Sequence, residues 1–132
     1  MSASDYSKLK IWQKGIEIAE EMYNCTKNLP KEELYGLTSQ MRRSAVSIPS
    51  NIAEGSQRNS RKDFSHFVSI AKGSVAELET QLILASKFGY IEMSTVKQLQ
   101  IKLEELSRML HGFHSQLIVE NSDLKPHTSH LS

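Results

Sequence analysis

The C-terminal part of the chain carries an unbroken heptad pattern of apolar residues. Between Ser94 and Val119 they recur at alternating steps of three and four positions, and they are Val96, Leu99, Leu103, Leu106, Leu110, Phe113 and Leu117. This spacing is typical of a long α-helix whose apolar seam packs alongside neighbouring helices, with axes crossing at about 20°. Because one helix cannot bury such a seam by itself, the pattern predicts a helical bundle.

Three further helices are predicted ahead of this one. Helix 1 runs from about Lys8 to Lys27 and closes before Pro30, since the residue preceding a proline is pushed out of helical geometry. Helix 2 begins between Lys31 and Gly36 and ends at Gly55, and helix 3 occupies Ser60–Gly89. Short connections favour antiparallel neighbours. The predicted fold is therefore all-α, an antiparallel up-down four-helix bundle at residues 8–119, with a flexible N-terminus at 1–7 and a flexible C-terminal tail at 120–132.

Helix 2 contains a proline, and its apolar face continues through it. The apolar positions keep three- and four-residue spacing on both sides of Pro49, and they are Leu37, Met41, Ala45, Ile48 and Ile52. Proline removes one backbone donor, here the partner of the Ala45 carbonyl, and it commonly kinks a helix. We therefore predict one proline-bearing helix with a continuous buried face.

Helix 3 has a recognisable start. Ser60 and Asp63 form the Ser-x-x-Asp pattern of a capping box, in which each side chain accepts a hydrogen bond from an otherwise unpaired amide. Its predicted core stripe comprises Phe64, Phe67, Ala71, Ser74, Leu78, Leu82 and Ala85.

The chain holds more apolar surface than one four-helix core can cover. Helix 1 has two seams: Leu9, Trp12, Ile16, Ala19 and Tyr23 form the first, and Ile11, Gly15, Ile18, Met22 and Cys25 form the second. Helix 4 adds Ile101, Met109 and Ile118 outside its heptad positions. Large exposed apolar patches usually mark interfaces, so we predict that the protein forms a homo-oligomer.

Composition limits the classes of function. The 132 residues fit one domain, and 16 basic against 15 acidic residues leave a net charge of +1, so any contact with nucleic acid has to be local. The single cysteine, Cys25, excludes an intrachain disulfide and is expected to be a small buried residue. We find neither a signal-peptide pattern nor an apolar run long enough to cross a membrane, and we expect a cytoplasmic protein.

Motifs for catalysis or metal binding are missing from the sequence. A di-iron bundle needs Glu-x-x-His on two helices, and this motif does not occur; the nearest pairs are Asp63-x-x-His66 and His111-x-x-His114. The chain also lacks a Gly-x-Ser-x-Gly elbow and a phosphate-binding Gly-x-x-x-x-Gly-Lys-Ser/Thr loop. We therefore predict a protein that is not an enzyme and that has no cofactor and no metal site.

A basic segment indicates a class of partner. Between Gly36 and Lys62 the chain has one acidic residue, Glu54, and five basic residues, which are Arg42, Arg43, Arg58, Arg61 and Lys62. Repeated around a homo-oligomer, these side chains would form a ring of positive potential that collects phosphates. The alternative is that the three basic residues from Arg58 to Lys62 only keep a loop soluble. Aromatic residues suited to stacking with bases are not interleaved with the basic ones.

Polar residues also interrupt the apolar helices near the proline, namely Asn51, Glu54, Glu77 and Glu79. In the structural interpretation, nearby polar groups or water satisfy the Ala45 carbonyl, and Arg–Glu pairs clamp helices 2 and 3 or adjacent subunits. The other interpretations are a functional pocket and ordinary solvated charge.

Several stretches resemble one known family. They are Arg42–Ser60 (RRSAVSIPSNIAEGSQRNS), Asp63–Leu82 (DFSHFVSIAKGSVAELETQL) and Phe88–Ile91 (FGYI), together with Leu9–Trp12, Tyr23 and Tyr35–Gly36. They look like the four-helix bundle proteins encoded within bacterial 23S rRNA intervening sequences, some of which are called S23 ribosomal proteins. The resemblance implies a barrel-like homo-oligomer, expected to be a pentamer. It also implies kinship with the accessory protein of diversity-generating retroelements, which works with nucleic acid.

Two functions follow as hypotheses. The first is a non-enzymatic, homo-oligomeric accessory or scaffold protein that binds RNA or DNA through the basic segment. The alternative is a structural module that interacts with protein and does not bind nucleic acid. Neither hypothesis involves a membrane.

Overall fold

The computed structural model describes residues 5–123, with side chains to residue 119. Four α-helices follow one another, α1 (Lys10–Thr26), α2 (Leu37–Ser56), α3 (Arg61–Lys87) and α4 (Met93–Asp123), and short 3-10 turns at Asp5–Lys8 and Lys31–Glu33 precede α1 and α2. Within this part of the chain there is no strand, and the prediction of an all-α fold is confirmed. Residues 1–4 and 124–132, which belong to the predicted flexible ends, lie outside the described residues.

Side-chain contacts show that consecutive helices are antiparallel. The contacts are Thr26 with Arg42 and Gly15 with Pro49 between α1 and α2, Ser47 with Ser74 and Gly55 with Phe67 between α2 and α3, and Ser69 with His114 and Lys72 with His111 between α3 and α4. In each pair of helices, residue numbers increase along one helix while they decrease along the other. The bundle closes where α4 returns to α1, through ion pairs of Lys14 with Glu105 at 2.8 Å and of Lys102 with Glu21 at 2.6 Å.

The core consists of inward-facing stripes from all four helices. The predicted face of α2 is buried on both sides of the proline, and its five residues, Leu37, Met41, Ala45, Ile48 and Ile52, are at most 8% exposed. The heptad seam of α4 is buried as predicted, except that Phe113 is only half-buried. A continuous buried face therefore runs through the proline-bearing helix.

In α3 the predicted stripe needs a correction at its start. Phe64 and Phe67 are half-buried rather than buried, whereas Val68 and Val75, which the predicted stripe omits, are buried. The remaining predicted positions are buried, and they are Ala71, Ser74, Leu78, Leu82 and Ala85. The stripe is wider than one seam because α3 packs against both α2 and α4.

The two seams of α1 are buried to different extents. The second seam is buried at Ile11, Gly15, Ile18 and Met22. Its last member, Cys25, is half-buried, so the expectation of a buried cysteine is too strong, although burial raises the pKa of its thiol to about 11. In the first seam, Leu9, Trp12 and Ala19 are half-buried and pack against the core. The other two members are exposed, Ile16 at 36% and Tyr23 at 44%.

Two glycines allow helices to approach closely. A Cβ at Gly15 would lie 3.3 Å from Ile48 Cγ2 and 3.3 Å from Pro49 Cδ, so α1 can pack against α2 at the proline because it has no side chain there. A Cβ at Gly55 would lie 2.7 Å from Phe67 Cβ, which is closer than carbon atoms pack. The last turn of α2 therefore rests directly on the first turns of α3.

The helix ends follow local chemistry. The Ser60 hydroxyl accepts a hydrogen bond from the Asp63 amide at 3.1 Å, so Ser60 is the N-cap of α3 as predicted. α2 begins at Leu37, just after the predicted interval, because residues 31–33 form a separate turn and the Glu33 carboxylate accepts a hydrogen bond from the Leu37 amide at 3.1 Å. Gly89 follows α3 with a φ of 81°, which favours glycine.

Candidate nucleic-acid interface

The basic residues singled out in the sequence lie in two groups at opposite ends of α2. Arg42 and Arg43 are in its second turn, whereas Arg58, Arg61 and Lys62 lie in the following loop and in the first turn of α3. At 1.5 Å per residue, α2 separates Arg43 from its own last residue by roughly 20 Å. The five side chains therefore form two groups within one subunit.

Arg42 is bound to the C-terminal end of α1. Its Nε donates a hydrogen bond to Thr26 Oγ1 at 2.9 Å, and its Nη2 donates to the Tyr23 carbonyl at 3.4 Å. The guanidinium carbon lies 4.6 Å from the centroid of the Tyr23 ring, which is cation–π distance. A cation is also favourable at the negative end of a helix dipole. Arg42 thus joins α1 to α2, and its contact with nucleic acid stays a prediction.

The second group lies in the loop after α2 and in the first turn of α3. Arg58 Nη2 lies 2.7 Å from Glu54 Oε2, four residues earlier, and its guanidinium lies 4.7 Å from the centroid of the Phe67 ring. Exposed pairs at this spacing contribute only about 0.3–0.5 kcal/mol, so this pair does not hold Arg58 firmly. Arg61 and Lys62 are exposed, as is Arg43 in the first group.

A cleft lies beside Arg42 and Arg43, at the bundle end where α1 finishes and α2 starts. It has a volume of about 480 Å³ and is lined by Tyr23, Leu34, Tyr35, Thr38, Ser39, Arg42, Arg43 and Val46. Tyr35 is 93% exposed, and Leu34 and Val46 are 49% and 42% exposed. None of the lining residues is acidic. The cleft combines apolar and aromatic surface with two positive charges, two phenol hydroxyl groups and two aliphatic hydroxyl groups.

Sequence reasoning missed this cleft. In sequence no aromatic residue alternates with the basic ones, but folding brings Tyr23 and Tyr35 next to Arg42 and Arg43. The seam pattern assigns Tyr23 to an apolar face and gives no role to Tyr35. The sequence feature that could have indicated the cleft is Tyr35, an aromatic residue in a short connection immediately before Gly36 and α2.

The polar residues near the proline take part in separate interactions. Asn51 Nδ2 donates to the Ser47 carbonyl at 2.8 Å and lies 3.0 Å from Ser47 Oγ, which lies 2.7 Å from Ser74 Oγ on α3. The Asn51 amide thus serves Ser47 rather than the carbonyl of Ala45. Together these groups link α2 to α3 at their middle.

The acidic members of that set lie elsewhere. Glu54 pairs with Arg58 on its own helix, and Glu77 is exposed. Glu79 is half-buried; burial raises the pKa of its carboxyl group, and the nearby Glu104 carboxylate adds to the increase. The described interactions support a structural role for Asn51 and do not bring these carboxylates together with it.

The histidines on α4 face polar groups of α3. His114 Nε2 lies 3.1 Å from Ser69 Oγ, and His111 Nδ1 lies 3.3 Å from Lys72 Nζ. Burial lowers the pKa of His114, and the positive charges of Lys72 and His111 lower it further. Among residues 5–119, no group of three or more His, Cys, Asp or Glu side chains could hold a metal ion.

Large apolar side chains are exposed on every helix. Apart from the cleft, the most exposed are Ile101 at 66%, Phe88 at 56%, Val119 at 55%, Met93 at 51% and Ile118 at 46%. Ile101 and Ile118 are two of the residues predicted to lie outside the core, whereas Met109 is half-buried and packs against it. None of the helices in the described part of the chain is long and apolar enough to span a membrane.

Comparison with known proteins identifies the family. The chain matches the model of the 23S rRNA-intervening sequence protein family at residues 7–112. It is similar to a protein of unknown function from the S23 ribosomal protein family of Bacteroides thetaiotaomicron, whose crystal structure aligns with a TM-score of 0.73 and 28% identity over 79% of this chain and 97% of that chain. No curated protein matches. Because this match covers most of the chain, the protein belongs to the family of 23S rRNA-intervening sequence proteins.

Proposed function

We propose that this chain is a non-enzymatic accessory or scaffold protein that forms a homo-oligomer and binds nucleic acid through its exposed basic residues. The observation that supports this most directly is the exposure of Arg43, Arg61 and Lys62 at the two ends of α2. Arg42 and Arg58 add charge beside them. The separation of roughly 20 Å corresponds to about six nucleotides of a stacked strand at about 3.4 Å each. A single strand of this length is long enough to reach from one group to the other.

Salt dependence of binding tests the electrostatic part of this proposal. Each lost contact with a phosphate should reduce the slope of log affinity against log salt by about 0.7 for a single strand. We expect the double variant Arg61→Ser, Lys62→Ser to reduce the slope by about 1.4 and Arg43→Ser by about 0.7. The measurement is fluorescence anisotropy of labelled single-stranded RNA and DNA at several salt concentrations.

The matched control removes the same charge elsewhere. Lys87 and Lys97 are exposed beside the connection between α3 and α4, at the bundle end opposite Arg61 and Lys62, and their replacement by serine also changes the net charge by two. If both double variants change the slope equally, general charge rather than these residues attracts the strand. If wild-type protein binds no oligonucleotide even at low salt, the proposal of nucleic-acid binding is wrong.

Assembly of several copies is the second part of the proposal. Exposed apolar side chains on α1 and α4, including Ile16 and the highly exposed Ile101, are surface that a second copy could cover. A closed ring would bury them in every subunit and repeat each basic group around its axis. We expect a pentamer, and light scattering of the purified protein measures the number of copies. A stable monomer at all concentrations would contradict this part.

The alternative function is a structural module that contacts another protein and no nucleic acid. The same exposed apolar residues favour it, because they suit a protein partner as well as a second copy. Loss of assembly in Ile101→Ser, with nucleic-acid retention absent in both wild type and variant, would favour this alternative.

A further inference from the structure

We infer that the cleft lined by Tyr23, Tyr35 and Arg43 holds an unpaired nucleobase of single-stranded RNA or DNA, with the adjacent phosphate on Arg43. This inference rests on the proposed function and adds to it a specific site and a preference for unpaired strands.

Tyr35 is the most exposed large apolar side chain in the described part of the chain. Tyr35 is 93% exposed, and the neighbouring Leu34 and Tyr23 are 49% and 44% exposed. A tyrosine ring in water leaves unused the large contact area that makes aromatic residues strong binding groups. Nucleobases are planar, and stacking of a base on an aromatic side chain is worth about 1–3 kcal/mol. The ring is therefore a platform without an occupant from this subunit.

The segment that carries Tyr35 is held in place. The two carboxylate oxygens of Glu33 accept hydrogen bonds from the Leu37 amide at 3.1 Å and from the Tyr90 hydroxyl at 3.0 Å. One side chain thus ties the connection to both the start of α2 and the link between α3 and α4. Because the segment is already ordered, binding a base requires little further loss of backbone freedom.

The charge of the lining favours an anionic partner such as a nucleic-acid strand over a neutral or basic one. Arg42 and Arg43 contribute two positive charges, and the lining contains no carboxylate. Arg43 is exposed and makes no ion pair with any described residue, so its guanidinium can meet a phosphate. The hydroxyl of the half-buried Ser39 supplies a donor and acceptor for a base edge, whereas Thr38 is only 4% exposed.

The dimensions fit a base with its sugar. The volume of about 480 Å³ lies within the range of roughly 300–1,000 Å³ typical of sites for small organic groups. Arg42 already covers one ring, since its guanidinium lies 4.6 Å from the centroid of Tyr23. Guanidinium planes and tyrosine rings both stack with bases, so the wall formed by this pair offers a second surface.

The test compares Tyr35→Ala with Tyr35→Phe. We expect the alanine variant to bind a labelled single-stranded 12-mer about 5-fold to 100-fold more weakly, whereas the phenylalanine variant keeps affinity within about 2-fold, because the ring and not the hydroxyl stacks. Since Tyr35 is almost fully exposed, neither change should alter folding. The exposed aromatic control outside the cleft is Phe88→Ala, for which no loss is expected.

A second probe separates stacking from phosphate contacts. A 12-mer of the same length with abasic positions keeps every phosphate but lacks bases, and we expect wild type and Tyr35→Ala to bind it equally. Wild type and Tyr35→Ala should also bind a duplex of the same sequence with equal affinity, because its bases are paired. Equal affinity of wild type and Tyr35→Ala for the intact single strand would overturn the inference.

Light scattering of each variant tests the other occupant, a second copy of this chain. If Tyr35→Ala breaks the oligomer apart, the cleft is a contact between subunits and the inference of a base site is overturned. If Arg61→Ser with Lys62→Ser weakens binding while Tyr35→Ala does not, only the base site is wrong and the proposed function stands. If no oligonucleotide binds to wild type, both are wrong.

Discussion

Replacing Gly55 with alanine tests the close contact between α2 and α3. The added Cβ would lie 2.7 Å from Phe67 Cβ and 2.9 Å from Phe64 Cδ1, whereas carbon atoms prefer about 3.5–4.0 Å. The Phe64 ring can rotate away. Phe67 Cβ is bonded to the backbone, so relief there requires α3 to move. Overpacking of this kind costs about 1–3 kcal/mol.

A second glycine provides the matched control. Gly73 is exposed in the middle of α3, and a Cβ there would meet nothing within 4 Å. Alanine at that position should raise the free energy of unfolding by up to about 1 kcal/mol through helix propensity alone. Helix propensity can raise the free energy of unfolding of Gly55→Ala by at most the same amount. The difference between the two variants therefore isolates the overpacking, at about 1–3 kcal/mol.

Urea unfolding followed by circular dichroism measures this difference. All variants need the same protein concentration, because association makes apparent stability depend on concentration. For a chain of this length, 1 kcal/mol shifts the melting temperature by roughly 3–5 °C, so thermal melts should also separate the two. If Gly55→Ala proves at least as stable as Gly73→Ala, the helices do not approach as closely as described.

Two further predictions concern pH and reactivity. Hydrogen bonds from Lys102 to Glu17 and from Lys14 to Glu105 lower the pKa of both carboxyl groups from 4.5. These ion pairs therefore stabilise the folded state above about pH 4.5, and this contribution is lost as the pH falls through the lowered pKa values of the folded protein. The free energy of unfolding of Glu17→Gln should consequently depend less on pH in the acid range than that of the wild type. Burial raises the Cys25 pKa from 9.0 to about 11, so about a hundredfold less thiolate is present, and alkylation by iodoacetamide at pH 8 should be far slower than in urea. Equal rates would contradict this.

Most of the helical framework could be predicted from local patterns. The heptad in α4, the apolar spacing through Pro49 and the cap at Ser60 are each contained within one helix or one turn, and each is confirmed. The start of α2 was harder to place because Lys31–Glu33 forms its own turn. Glu33 then caps α2 from outside, and nothing in the apolar period marks that interaction.

The candidate site was only partly predictable. The sequence shows five basic residues in one segment. It does not show that they lie in two groups at the two ends of α2, or that Arg42 forms hydrogen bonds with Thr26 and Tyr23. The cleft beside them requires the end of α1, a connection and the start of α2 to meet. Tyr35 was assigned no role because its exposure depends on that meeting.

The amino-acid sequence by itself determined the number of helices and the inward faces of α2 and α4, because apolar period and caps act between residues a few positions apart. Only the tertiary structure decided which seam of α1 is buried, why Gly15 stands opposite Pro49, and which charges remain exposed. These outcomes depend on contacts between residues far apart in the chain, and such contacts form only when whole helices have packed.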